Sequence, residues 1–190
     1  MSLIAGTKYI GGHSDLMLGA VVANEPDVID ALNTTHYAMG YSISADDAWL
    51  ALRGVRTLPI RVRQHAQNAL RVCQYLAGRN DVVQIFHPAW PEDRGHALWQ
   101  RDCHGSNGML AVELKLDPEQ AVRFVDALTL FGIGFSWGYE SLVQLIEPGA
   151  LAVHSYWQKT ANAMVRLHIG LENPADLIAD IEQALAVARG

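Results

Sequence analysis

Thr7-Lys8-Tyr9-Ile10-Gly11-Gly12-His13-Ser14-Asp15 is the stretch on which the interpretation of this chain turns. A lysine stands beside a hydroxyl residue and is followed by paired glycines, so the loop is flexible and rich in polar groups. The apolar run from Leu16 to Ala23 comes next and predicts a buried strand. A free lysine amine, with a pKa near ~10.4, is a poor nucleophile at neutral pH. Held in a partly desolvated pocket beside an electrophilic carbonyl, it becomes a useful one. Most loop lysines are solvated surface charges, and on residues alone Lys8 is open to both interpretations. Two features set it apart. The chain has only three lysines, and this one lies in a glycine-flexed, hydroxyl-rich turn rather than on a polar helix face.

The rest of the composition narrows the possibilities. The 190 residues are 50% hydrophobic, enough for a packed core. The net charge is −6 with no basic run, which argues against a nucleic-acid partner. No apolar run approaches the roughly 18 residues of a membrane span, and the start lacks the pattern of a signal peptide. Cys73 and Cys103 suit a reducing cytoplasm and predict no disulfide. The histidines are scattered, without H-x-x-x-H or C-x-x-C spacing, so no metal site is expected.

Beyond the strand, Asn24-Glu25-Pro26 opens a helix to about Met39, which Gly40 can end. Ser44-Ala45-Asp46-Asp47 caps a second, long amphipathic helix to about Gly78, with a kink expected at Pro59. Strands are predicted at 82–86, 108–116, 133–135 and 164–169. Helices are predicted at 95–101, from the Asp117-Pro118-Glu119-Gln120 cap to about Leu130, and from Asn173-Pro174 onward. From Val82 this order predicts helices packed on a mostly antiparallel sheet, an α+β layer. The first fifty residues show one strand, a loop and helices but no partner strand. They therefore resemble the edge of a larger parallel-sheet domain.

A second chemically suggestive stretch is Met164-Val165-Arg166-Leu167-His168-Ile169-Gly170. Its alternation puts Val165, Leu167 and Ile169 on one side and Met164, Arg166 and His168 on the other. An arginine on a short apolar strand needs a planar anion, which fits its forked donors in bidentate fashion. An internal salt bridge and a bound carboxylate satisfy that need equally well.

The run T-K-Y-I-G-G-H-S-D-L-M-L-G closely resembles the lysine segment of the Cys/Met-metabolism family of pyridoxal-phosphate enzymes. V-R-L-H-I-G-L-E and F-S-W-G-Y-E-S resemble two further segments of that family. The resemblance implies that Lys8 is the catalytic lysine that bonds pyridoxal 5'-phosphate, and that Thr7 helps hold the cofactor phosphate. It implies that Arg166 clamps the substrate α-carboxylate, flanked by Ser136 and Trp137. His168 and Glu172 match the pattern without a chemical role and are expected to be structural. The tryptophan at 137 points to the members that break a β carbon–sulfur bond, with cystathionine as the expected amino-acid substrate, in transsulfuration and methionine biosynthesis.

Two departures from the family pattern stand out: Ala5 occupies a position that is often serine, and only Gly138 separates Trp137 from Tyr139 where two glycines are usual. The likeness spans essentially the whole chain, but as the C-terminal half of the family's length. The implied fold is the C-terminal part of a fold-type I pyridoxal-phosphate transferase-like architecture. Residues 1–54 would be a remnant of the large cofactor-binding domain and 55–190 the small α+β domain. The family's partner for the pyridine nitrogen and its glycine-rich phosphate loop precede the lysine, so the chain alone is expected to be inactive. A homodimer or homotetramer is implied. A non-catalytic dimerising fragment, and a γ-synthase or methionine γ-lyase relative, are the alternatives.

Overall fold

The computed structural model describes residues 1–135, 138–147 and 160–190. Their contacts form two units, Met1–Pro59 and Ile60–Gly190.

In the first unit, β1 (Ser2–Ala5) pairs antiparallel with β2 (Gly19–Val22), from Ser2 opposite Val22 to Ala5 opposite Gly19. This corrects the sequence expectation in three ways. The strand starts at Gly19 rather than Leu16, it has a partner, and Val21 and Val22 are exposed rather than buried. Leu16 is buried, but it belongs to the loop. Four residues, Ser2 to Ala5, are too few to reveal a period of two in sequence. Helix α1 (Pro26–Met39) starts with its proline in the first turn, where a missing N–H costs nothing. It ends at Gly40, whose φ of 66° lets the Gly40 and Tyr41 N–H groups return to Tyr37 and His36 carbonyls. Helix α2 (Ala45–Ala77) is capped by Ser44, whose hydroxyl accepts from the Asp47 N–H at 3.0 Å. Pro59 lies inside α2, whose residues fall into both units.

The second unit holds the rest of α2 and then β3 (Val82–Phe86), α3 (His96–Asp102), β4 (Met109–Leu114), α4 (Pro118–Ala127), β5 (Gly132–Ile133), β6 (Leu142–Ile146), β7 (Ala163–His168) and α5 (Pro174–Arg189). The strands form one sheet in the order β3-β4-β7-β6-β5, antiparallel except where β5 pairs with β6. Strand β6 is absent from the sequence expectation, because its run Leu142-Val143-Gln144-Leu145-Ile146 is too short and too nearly all apolar to show a period of two. Helix α4 has the capping box expected of it: Asp117 accepts from the Gln120 N–H and Gln120 from the Asp117 N–H.

One face of this sheet is the core. Leu110, Val112, Leu114, Val143, Val165 and Leu167 are buried there. They belong to one cluster with Phe124 of α4, Leu177, Ile181 and Leu185 of α5, and Val72 and Leu76 of α2. Alternation along the strands sends Arg166 and His168 to the opposite face.

Candidate active site

Lys8 lies in the loop between β1 and β2, and short-range backbone bonds wind that loop tightly. The Gly11 N–H donates to the Gly6 carbonyl at 2.8 Å and the Gly12 N–H to the Lys8 carbonyl at 2.7 Å. Gly12, at φ 75°, takes a conformation that side chains disfavour. The loop rests on α2 at Gly54, where an added Cβ would strike the carbonyl oxygens of Ile10 and Gly11. Asp15 and Arg53 add an exposed ion pair at 2.8 Å. The result is a half-buried lysine on a loop held against a helix. The sequence expectation passed over Gly54; a glycine inside an amphipathic helix is the signal that could have marked it, although nothing in the sequence marks its partner.

Thr7 acts on the same loop. Its hydroxyl accepts from the Leu18 N–H at 2.8 Å and donates to the Leu18 carbonyl at 3.3 Å, while its own N–H donates to that carbonyl at 3.0 Å. The side chain thus extends the β1–β2 ladder by one rung.

Arg166 is on β7, the middle strand of the second unit's sheet. Ala111 of β4 stands directly opposite it on one side and Gln144 of β6 on the other. Ala111 is small, and it, Gln144 and Arg166 are each half-buried. No acid pairs with Arg166 among the described residues. The Gln144 side-chain oxygen beside it is buried without a hydrogen-bond partner. Of the sequence-predicted site residues, Ser136 and Trp137 lie outside the described residues. Thr7 and Lys8 belong to the first unit and Arg166 to the second.

The chain that follows Arg166 is laced to its surroundings. The His65 ring nitrogen meets the Ile169 carbonyl at 2.8 Å and the His168 ring nitrogen the Glu140 carbonyl at 2.9 Å. The two buried rings are 5.3 Å apart. Burial pushes His168 down to about 4, with the charge of His65 adding to the effect, and burial likewise lowers His65. Both are therefore neutral at neutral pH. Asn68 donates to the Gly170 and Glu172 carbonyls, and Glu172 accepts from Ser141. Gly170 is required, since a Cβ there would strike Glu172, the Tyr139 carbonyl and the Ser141 nitrogen. His168 and Glu172 thus have the structural bonds expected of them. The roles of His65, Asn68 and Ser141 had no sequence signal, because their partners are far along the chain.

No helix is long and apolar enough to cross a membrane, and no cluster of metal-ligating side chains occurs among the described residues. Residues 1–186 match the family of Cys/Met metabolism PLP-dependent enzymes. Over 186 residues the chain is 69% identical to a cystathionine beta-lyase of Bordetella avium, covering 97% of this chain and 47% of that protein. Over 191 residues it is 39% identical to a cystathionine beta-lyase of Escherichia coli (strain K12), covering 98% and 48%. The crystal structure of cystathionine gamma synthase from Xanthomonas oryzae pv. oryzae, in complex with aminoacrylate and cysteine, superposes with a TM-score of 0.88 at 35% identity. That match covers 98% of this chain and 50% of the other. The chain spans about half the length of the curated relatives it matches. Its fold is that of part of a fold-type I pyridoxal-phosphate enzyme. Because the family match runs from Met1 through residue 186, nearly the whole chain, this chain belongs to the Cys/Met-metabolism family of PLP-dependent enzymes.

Proposed function

We propose that this chain carries the cofactor lysine and the carboxylate-binding arginine of a cystathionine β-lyase. The reaction would release homocysteine, pyruvate and ammonia. The activity belongs to the whole protein, of whose length in relatives the chain spans about half. The observation that carries the proposal is Arg166: a half-buried arginine on the middle strand of the sheet, without an acid in ion-pair contact among the described residues. Such a group is suited to bind a planar anion, and the α-carboxylate of an amino acid fits its two parallel N–H donors.

The residues present fit pyridoxal phosphate. Lys8 offers a primary amine on a loop whose position Gly54 sets by close backbone approach. Thr7 keeps its strong bond from the Leu18 N–H. Its outgoing bond of 3.3 Å is longer than strong hydroxyl bonds, so the hydroxyl proton can turn to a phosphate oxygen at little cost. When bound, the cofactor supplies a ring that withdraws the electron pair left by a departing α-proton. The chain's own groups do the rest. The Arg166 guanidinium holds the substrate carboxylate and fixes its rotation, with Ser136 and Trp137 as flanking contacts. Lys8 Nζ, once exchanged for the substrate amine, takes the α-proton. Residues 1–54 are assigned to the cofactor-binding domain and 55–190 to the small domain, in a homodimer or homotetramer.

The test begins with residues 1–190 and added pyridoxal phosphate. An absorbance band near ~420 nm, trapped by borohydride on the Lys8 peptide and absent in Lys8→Ala, is the expected result. No adduct at saturating cofactor, with a stable dimer, supports a non-catalytic fragment instead; exposed Leu3, Val21, Val22 and Ile29 motivate that alternative. The structural match to a γ-synthase supports a second catalytic reading. Product analysis of the long form separates them, since β-elimination from cystathionine gives pyruvate and a γ-route gives a four-carbon oxo acid.

A further inference from the structure

Arg166 has a buried acid within reach on its own sheet face and does not pair with it. Across β4 and β7, Ala111 is opposite Arg166 and Glu113 is opposite Met164, so Glu113 is one diagonal step from the arginine on the same face. Such diagonal neighbours lie ~7–8 Å apart along the sheet, and long side chains bridge that distance. Glu113 is 5% exposed, and a buried carboxylate next to a guanidinium normally joins it in a forked pair. Instead, Glu113 Oε1 accepts from Asn162 Nδ2 at 2.7 Å. Asn162 immediately precedes β7, the strand that carries Arg166.

We propose that Asn162 is a positioning residue: its amide engages Glu113 and keeps that carboxylate off Arg166, leaving the guanidinium for the carboxylate of the substrate. The proposal rests on Arg166 being the carboxylate-binding group. A neutral amide suits the task, because it satisfies an oxygen of Glu113 without adding a charge that would compete with Arg166. If Glu113 paired with Arg166, every incoming carboxylate would first have to break a shielded ion pair. The geometry also explains how a buried acid is tolerated so near a site for anions. Its hydrogen bond comes from the residue that leads into the arginine's strand, while the pairing of β4 with β7 sets the register of the acid and the arginine.

The test is a titration of residues 1–190 with sodium propionate, read on the backbone amide resonances of Ala111 and Gln144, the two residues opposite Arg166. Asn162→Ala is expected to weaken propionate binding about tenfold, and Asn162→Ala with Glu113→Gln to restore it to within about twofold of the parent. In the long form the same single change is expected to raise KM while leaving kcat nearly unchanged. Urea unfolding monitors the fold, and Asn162→Leu, close in shape but without a donor, carries the same comparison if the alanine variant does not fold. If Arg166→Gln binds propionate as well as the parent does, the assignment of Arg166 itself fails. If Arg166→Gln loses binding but Asn162→Ala does not, or if Glu113→Gln fails to rescue, Arg166 stands and the role given to Asn162 is overturned.

Discussion

Ser141 gives both of its donors to one carboxylate. Its backbone N–H reaches Glu172 Oε1 at 2.8 Å and its hydroxyl reaches Oε2 at 2.9 Å. The same hydroxyl accepts from the Gly170 N–H at 2.8 Å. The approach to β6 is thereby tied to the exit of β7, two residues past His168. Hydrogen bonds to a charged acceptor contribute about 1.5–3 kcal/mol each where water is excluded. Glu172→Ala is expected to lower unfolding stability by about 2–4 kcal/mol, and Glu172→Gln by less, because an amide keeps one acceptor. Urea denaturation of both variants checks this, and an unchanged midpoint in the alanine variant contradicts it.

Gly54 is expected to tolerate no side chain. A Cβ there meets the carbonyls of Ile10 and Gly11, which are backbone atoms and cannot swing aside. Gly54→Ala would normally favour a helix by about 1 kcal/mol. Here it should displace the Lys8 loop instead. Hydrogen exchange at the Gly12 N–H, which donates to the Lys8 carbonyl at 2.7 Å, reads the displacement directly. Faster exchange in Gly54→Ala is the expected outcome, and unchanged protection argues against the close approach.

Stability should fall in mild acid. His168 sits at about 4 in the folded chain against an ordinary 6.5, and His65 and His87 are lowered in the same direction, each mainly by burial. A folded-state pKa below the unfolded one means that the unfolded chain takes up protons first. The stabilisation is whole above about 6.5 and is lost as pH falls toward 4, with His168 alone worth about 3 kcal/mol. Urea midpoints measured from about pH 7 down to about pH 5 should decline steadily. A flat profile over that window would show that the rings are not buried as neutral groups.

Asp180 is a buried carboxylate that gathers donors from the loop after α4. It accepts from the Thr129 N–H and hydroxyl and from the Leu130 N–H, at 2.7 to 3.1 Å. Burial alone would raise its pKa, but those bonds and one from Gln183 hold it below the usual carboxylate value. Asp180→Ala takes the acceptor from donors on the exposed Thr129 and Leu130, which water can reach, and is expected to cost about 1–2 kcal/mol. Asp180→Asn should lie between that and the parent in thermal unfolding.

What could be read without the fold was whatever the chain settles over a few residues. The Asp117–Gln120 box, the left-handed Gly40, the Ser44 cap and the Asn173-Pro174 start all satisfy local backbone groups with local partners. The alternation of β7 was legible for the same reason, since its period is short. The chemistry of Lys8 and Arg166 was legible as residue types in unusual settings. The pairing of β1 with β2 was not, nor was β6, because short strands acquire their identity from a partner that supplies the hydrogen bonds.

The amino-acid sequence by itself determined the helices, where most of them start and the family of the chain. Only the tertiary structure decided that Arg166 lies between Ala111 and Gln144, that Asn162 holds Glu113, and that Gly54 carries the Lys8 loop. Helices and caps close their hydrogen bonds within a turn or two. Register, close approach and buried charge depend on groups tens of residues apart, and those meet only after the sheet has formed and the core has closed.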